Sequence, residues 1–440
     1  MITSETKNTS LNDLIHRLSG CSGAHPHEHP RDLSVNKAQE IIAQFIQPIH
    51  QVEKIGILQA LGRILAEDVI SGMSVPAHDN SAMDGYAFAG DALSETDEST
   101  YRIVGAAYAG RPFQGSVAEG ECVRIMTGAV MPDGCDTVVP IELSDQVGDT
   151  QIKIPAGRLQ AGNNRRRAGE DLAIGKTALR KGKRIRPADL GLLASLGIAE
   201  ITVQRRLRVA FFSTGDELRS LNEPLDVGCI YDSNRYTLHA MLTRLGCELI
   251  DMGVVKDDPI LLESCFRNAT ESADVVITTG GVSVGDADYT RQIMSQLGEV
   301  ASWSIAMRPG RPMAFGKLNS NGKSAYLFGL PGNPVAVMVT FYFFVKQALL
   351  HMQGAENATP ILVPATSKFP IKKRPGRTEY QRGIVELNAQ GELEVSITGS
   401  QGSGILRSMS EANCMIVLDH DHNEVHAGDR VKLVLFDGLI

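Results

Sequence analysis

At 440 residues, with 43% hydrophobic and 21% charged side chains, the chain has the composition of a soluble globular protein and the length of about three domains. A net charge of −8 and a pI near 5.8 argue against a general nucleic-acid binder, which needs a basic face. Seven dispersed cysteines lack any C-x-x-C pair, the N-terminus lacks an apolar secretory core, and no apolar run spans a bilayer; a reduced cytoplasmic protein without membrane contact is expected.

Residues 1–33 have the composition of a flexible extension. Cys21, His25, His27 and His29 cluster there with prolines and glycine, and no second ligand pair has zinc-site spacing, so disorder is favoured over metal binding. Ala38, Ile41, Ile42, Phe45 and Ile46, then Ile57, Leu58, Leu61 and Ile64, recur at helical spacings and predict helices over both runs. A glycine-richer, strand-like segment follows, with two dense polar clusters. Asp79, Asn80, Ser81 and Asp84 form one, which superficially resembles a calcium loop. Met83 stands where the third ligand belongs, so an EF-hand is rejected in favour of a polar loop. In the other, a strand ends at Thr127-Gly128, and Pro132-Asp133-Gly134 reverses the chain, which predicts a hairpin whose rim presents Thr127. Arg165, Arg166 and Arg167 precede Gly169 and Asp171. The spacing to Gly175-Lys176-Thr177 is one residue too long for a P-loop, which leaves a solvated basic face or a lure for an anion.

From Leu207 the pattern alternates strand and helix. Strands are predicted at 207–212, 247–255, 275–279 and 324–328, with helices starting near Asp232-Ser233, at Pro259, before Ile293, and from Val335. Such succession gives a mainly parallel sheet, whose ligands sit outside the carboxyl ends of its strands. That edge gathers Glu217, Asp257, Gly280, Gly281, Ser283, Gly285, Asp288 and the run Pro331, Gly332, Asn333, Pro334. Residues 274–290 pass from an apolar strand through glycines to carboxylates and a helix start, a geometry suited to an anion and Mg²⁺. Between the last two units, prolines at 309 and 312 predict a stiff, extended segment that fixes Arg308 and Arg311 for an oxyanion or phosphate. Beyond residue 359, five strand-like runs and the turn Asn388-Ala389-Gln390-Gly391 predict a small all-β domain, with a hydrophilic turn at 419–426.

Six motifs in order, D-N-S-A-M-D-G-Y-A at 79–87, R-I-M-T-G-A at 124–129, R-R-R-A-G-E-D at 165–171, S-T-G-D-E-L at 213–218, T-T-G-G-V-S-V-G-D-A-D-Y at 278–289 and G-L-P-G-N-P-V at 329–335, carry a resemblance from about residue 33 to the end. The chain resembles the MoeA-type molybdopterin molybdenumtransferases, related to the C-terminal half of gephyrin. The resemblance implies insertion of molybdate into adenylylated molybdopterin with Mg²⁺, releasing AMP. It also implies a homodimer with a composite active site, and contacts with molybdopterin adenylyltransferase and apo-molybdoenzymes. By motif matching, Asp84, Thr127 and Asp171 belong to the second-subunit side. Glu217, Asp257, Asp288, Pro331 and Pro334 belong to the central site, Arg308 and Arg311 stand at basic positions, and Arg382 and Ser403 shape an oxyanion pocket. Metal ligation is expected of Asp257, Asp288 and Glu217. Ser304 departs from the family, which often carries lysine there.

The expected architecture is multidomain α/β plus β: a central three-layer α/β domain with a mainly parallel sheet, mixed N-terminal domains and a β-barrel-like C-terminal domain. Its segments are the extension at 1–33, a discontinuous linker-like domain at 34–74 and 166–205, a β-rich domain at 75–165, the central domain at 206–358 and the β domain at 359–440. A non-catalytic pterin-binding scaffold and a molybdopterin adenylyltransferase are the alternatives.

Overall fold

The computed structural model describes residues 10–19, 32–94, 96–281, 289–356 and 359–436. They fall into two compact units, one of Met1–Glu53, Gly62–Ala66 and Val203–Ile440, the other of Lys54–Leu61 and Glu67–Thr202.

The first unit is built on a six-stranded sheet. Four strands, Glu248–Val255, Arg208–Thr214, Val275–Thr279 and Lys323–Leu330, lie side by side and parallel. Pro312–Ser320 and Gly298–Ser304 then continue the sheet antiparallel. The parallel strands are apolar because both faces are covered, and alternation divides their side chains between two cores. Val209, Phe211, Val275, Ile277 and Phe328 pack in one core with helices Val35–Phe45, Asn234–Arg244 and Pro334–Met352. Ala210, Phe212, Val276 and Leu327 meet Pro259–Ser272 and Tyr289–Leu297 in the other. The expected three-layer α/β arrangement is therefore present.

Helix starts follow the local chemistry. Asp258 caps Pro259–Ser272 by accepting from the backbone N–H groups of Ile260 and Leu261, with Pro259 as the first helical residue. Pro334–Met352 is long and apolar enough to cross a membrane by length and composition, yet 83% of its apolar window is buried inside the protein. It is a core helix, widened by a π-helical turn at Phe341–Val345 whose five residues are all buried.

In the same unit, Thr378–Leu387, Leu393–Ile397, Val363–Ser367, Arg430–Leu435 and Cys414–Leu418 pair in that order, and the last pairs back to the first. This closed five-stranded barrel removes its own edges and encloses Ala365, Val395, Cys414, Ile416 and Leu433. The turn after Leu387 is closed by a bond from the Gly391 N–H to the Asn388 carbonyl.

The second unit holds a six-stranded sheet in the order Thr137–Pro140, Gly85–Phe88, Glu121–Ile125, Ser99–Ala107, Gln151–Ile154, Asp145–Val147. The expected hairpin around Thr127 does not form, because Gly85–Phe88 lies between its two arms and pairs with both. Only glycine fits at position 85, where a Cβ would stand 1.8 Å from the Val139 carbonyl oxygen.

Two further expectations are corrected. The run from Ile57 is not an α-helix but one short 3₁₀ turn, Ile57–Gln59, and Leu58 is 91% exposed. Gly56 and Gly62 bracket too few residues to propagate a helix. The N-terminal extension contains a helix, Leu11–Ser19, whose Leu11 and Leu14 are buried in the core beside Val35–Phe45. Glu299 accepts from the Leu11 N–H at 2.6 Å, and Arg17 donates to Gln44 at 2.7 Å. Cys21, His25, His27 and His29 lie outside the described residues.

A nine-residue helix is not stable alone in water, so its order depends on these contacts. Leu14→Asp is expected to undock it, giving trypsin cleavage after Arg17 at least about tenfold faster, while the main thermal transition moves by less than about 3 °C. Limited proteolysis followed by mass spectrometry, alongside calorimetry, checks this.

Candidate active site

The carboxyl ends of the four parallel strands meet at one edge, where their loops hold one another. After Arg208–Thr214, Gly215 donates its N–H to the Val255 carbonyl at 3.3 Å, and the Glu217 carboxylate folds back over Gly215. The Thr214 hydroxyl donates to Oδ1 of Asp257, and Asp216 accepts from the Asp257 N–H at 3.4 Å. After Val275–Thr279, Gly280 has φ +90°, and a Cβ there would lie 2.4 Å from the Thr214 carbonyl oxygen. Its N–H bonds to the Leu330 carbonyl at 3.2 Å, so the third and fourth strand ends are tied together. Gly281 also has positive φ, +63°, against the Thr290 side chain. Ser283, Gly285 and Asp288 lie outside the described residues.

The fourth loop, residues 331–334, leads into the long helix. Asn333 caps that helix without a side-chain bond, and Pro334, at the first turn, has no N–H. The Val335 N–H is taken by the Ser403 carbonyl at 3.1 Å. This helix start therefore offers little to an anion. The Gly332 carbonyl instead accepts from the Asn234 amide at 2.7 Å.

Positive charge comes from the barrel side of the same unit. Arg382 is fully buried, yet among the described residues no carboxylate pairs with it. Its Nε donates to the Ser408 hydroxyl at 3.0 Å, and its other nitrogens reach the carbonyls of Ser400, Gln401 and Gly402 at 2.9–3.3 Å. Burial, and then the Arg308 guanidinium nearby, pull its pKa down to about 10, so it stays charged at neutral pH. Arg308 is exposed on Met307–Arg308, which pairs in parallel with Thr378 and Glu379.

The segment around Arg308 is not the extended rod its prolines predict. Gly310 has φ +98° and the Ile305 N–H bonds to the Arg311 carbonyl at 2.8 Å, so the chain turns. Arg311 is exposed but tethered: it pairs with Asp32 at 2.9 Å and donates from Nε to Ser304 Oγ at 2.9 Å, and Ser304 donates to Asp32. Serine at position 304 thus completes a bridge that anchors Arg311 to the N-terminal segment.

In the second unit, Oδ1 of Asp84 accepts from both the N–H and the hydroxyl of Thr127, at 2.6 and 2.7 Å. These bonds, the backbone one first, hold the Asp84 carboxyl below its usual range. Asp79 accepts from the Ala168 N–H at 2.8 Å and faces Arg165 at 3.4 Å. Arg166 pairs with Glu170 at 2.7 Å, so the triple arginine is partly neutralised and not a free basic face. Asp171 is exposed, with its N–H on the Val75 carbonyl.

Sequence reasoning brought Asp84 to Thr127, and Asp257 to the glycine loops, but missed three partners. Thr214, Asn234 and Asp32 act through hydrogen bonds to residues 43, 98 and 279 positions away. None of the three carried a local signal, since each bond joins positions far apart in the chain.

Three family descriptions match the chain in order: "MoeA N-terminal region (domain I and II)" at residues 33–197, "Probable molybdopterin binding domain" at 210–351 and "MoeA C-terminal region (domain IV)" at 364–436. The chain is 40% identical over 413 residues to the molybdopterin molybdenumtransferase of Haemophilus influenzae, covering 93% of this chain and 100% of that one. The chain belongs to the MoeA family of molybdopterin molybdenumtransferases. It is also 32% identical to gephyrin of Dictyostelium discoideum, over 91% of this chain and 62% of that protein. The crystal structure of the molybdopterin biosynthesis MoeA protein from Pyrococcus horikoshii superposes with a TM-score of 0.79 at 28% identity, covering 92% of this chain and 100% of that one. The three matched regions follow the chain in the order second unit, sheet, barrel.

Because Asp84 is held mainly by the backbone N–H, Thr127→Val removes only the second bond. The Asp84 titration midpoint is expected to rise part of the way toward 3.8. The sign follows from the lowered value: the Asp84–Thr127 tie is complete above the ordinary carboxylate pKa and is lost as pH falls through the depressed one. A carboxyl carbon NMR titration of both proteins checks this; an unmoved midpoint would contradict the hydroxyl bond.

Proposed function

We propose that this chain inserts molybdate into adenylylated molybdopterin, releasing AMP and forming the molybdenum cofactor. The observation that carries this reading is Arg382, a buried guanidinium without a carboxylate partner among the described residues and with Arg308 beside it. Two such cations suit an oxyanion, and hydrogen bonds to charged groups are worth about 1.5–3 kcal/mol each. The nearby loop carrying Ser403 shapes the pocket, and its carbonyl anchors the 331–334 turn through Val335.

Among the described residues no cluster of three or more His, Cys, Asp or Glu side chains is arranged to hold a metal by itself. Mg²⁺ does not require one: it keeps several waters and takes one or two carboxylates together with phosphate oxygens. The donors at the strand edge are hard oxygens, and Asp257 has one carboxylate oxygen outside the bond from Thr214, which fits this ion. Asp257 and Glu217, with Asp288 from the adjoining motif, would hold it. When bound, it supplies positive charge to the phosphate as AMP departs.

The chain's own groups do the rest. Arg308, exposed, binds and orients the oxyanion, with the buried Arg382 adding positive charge behind it, while Gly280, Gly281 and residues 331–334, with Ser283 and Gly285 from the motif, line the substrate. Asp84, Thr127, Glu217, Asp257 and Asp288 are assigned the catalytic roles. Asp84 and Thr127, already joined, would enter with Asp171 from the second chain of a homodimer. Arg311, tied to Asp32 and Ser304, contributes as a secondary anion contact. A cytoplasmic location, hand-over from molybdopterin adenylyltransferase and delivery to apo-molybdoenzymes complete the reading. Its four functional parts are residues 34–74 with 166–205, then 75–165, 206–358 and 359–440, preceded by the 1–33 extension.

The test incubates the full-length protein with adenylylated molybdopterin, Mg²⁺ and molybdate, and follows AMP. Molybdate-dependent AMP release is expected; AMP release indifferent to molybdate, or consumption of ATP, would overturn the assignment. Asp257→Ala is expected to lower turnover by about 10²-fold or more. Arg308→Ala, at an exposed position, is expected to raise the molybdate KM about tenfold without altering thermal stability, as loss of one charged hydrogen bond implies. Steady-state kinetics at varied molybdate separates the two effects.

A further inference from the structure

We propose that Asn234 is a positioning residue of the site, holding the 331–334 turn through its side-chain amide; this rests on the function proposed above. Asn234 is the first residue of helix Asn234–Arg244 and is 7% exposed. Its Nδ2 donates to the Gly332 carbonyl at 2.7 Å, across 98 residues of sequence. A carbonyl only accepts, so this contact fixes which end of the amide faces Gly332. The other end, Oδ1, is buried and has no hydrogen-bond partner among the described residues.

That orphan makes a purely structural role a poor explanation. A buried unpaired amide oxygen destabilises the fold, and an apolar side chain of similar size would remove the cost. Asparagine is also unneeded for starting its helix. The chain entry is already locked by Asp232, which is 1% exposed and accepts from the Arg235 N–H at 3.2 Å, and by Arg235, which pairs with Asp251 at 2.8 Å. What the asparagine adds is the one bond to Gly332.

The turn it reaches has few other fixings. Asn333 makes no side-chain cap, and Pro334 has no N–H. The turn is held at its ends by the Leu330 carbonyl on Gly280 and by the Val335 N–H on Ser403, and in the middle by Asn234. Losing the middle bond frees the Gly332 peptide to rotate beside Gly280, where a Cβ on Gly332 would come within 3.9 Å of the Gly280 Cα. A misplacement of about 1 Å in reacting groups costs up to about a hundredfold in rate.

Asn234→Asp tests this with shape preserved: the carboxylate cannot donate to Gly332, while a negative charge at a helix N-terminus favours the helix. Asn234→Ala removes both the donor and the orphan acceptor. Two readouts are taken on the full-length variants: hydrogen–deuterium exchange of peptides covering 329–337, and kcat and KM for molybdate-dependent AMP release. Faster exchange in 329–337, a kcat lowered about ten- to a hundredfold, an unchanged molybdate KM and, for Asn234→Ala, a melting temperature lowered by no more than about 4 °C are expected. Unchanged exchange overturns the proposal, as does faster exchange with wild-type kcat. Unfolding of both variants also overturns it, since Asn234 would then be a structural residue. Absence of turnover in the wild-type protein sinks the proposed reaction instead, and the exchange comparison still decides the clamp.

Discussion

A guanidinium wholly removed from water, surrounded by oxygens that carry no formal charge, is the constraint on which the described site depends. Burying a charge costs several kcal/mol even after relaxation, and an acidic partner is the usual compensation. Arg382 is compensated instead by the Ser408 hydroxyl and by carbonyls of the loop at 400–402. Those bonds order the loop, which places the Ser403 carbonyl on Val335 and so fixes where the 331–334 turn stands. The barrel is therefore part of the framework of this edge, and the charge that orders the loop has no carboxylate partner among the described residues.

The sheet supplies the second half of the framework by geometry alone. Parallel strands end in register at one edge, so four loops distant in sequence become neighbours. At Gly280 the backbone approaches Thr214 more closely than any Cβ permits, and the Thr214 hydroxyl in turn orients Asp257. Carboxylate, glycine turn and proline turn are thus coupled through backbone contacts, with only short side chains between them.

Much of this was legible in the sequence where one period dominated. Val275–Thr279 was bounded to the residue, because an apolar β-branched run stops at glycine. Pro259–Ser272 announced itself through Asp258 and Pro259, and the all-β domain through five strand-like runs. Legibility failed where the outcome depended on distant partners. Ile57, Leu58 and Leu61 carry helical spacing, but spacing says nothing of whether a core exists to receive them, and Leu58 and Leu61 face solvent. The Thr127 hairpin failed because pairing with Gly85–Phe88 competes with local closure and wins on both sides. Arg311 looked available because its neutralising carboxylate, Asp32, is 279 residues away. The candidate residues themselves were found by motif, while the bonds that hold them, from Thr214, Asn234 and Ser408, had no local signature.

The second unit shows the same economy in a smaller form. Asp84 stands just before Gly85–Phe88 and Thr127 just after Glu121–Ile125, and the pair forms because these strands are antiparallel neighbours with Gly85 opposite Ile125. Both bonds to Asp84 arrive at one oxygen, so the carboxylate is oriented while its other oxygen is left for a ligand. Asp257 is arranged alike, with the Thr214 hydroxyl on Oδ1. In each unit, taken by itself, a threonine hydroxyl thus fixes an exposed carboxylate in advance, so little reorganisation of that group would remain on meeting a charged ligand.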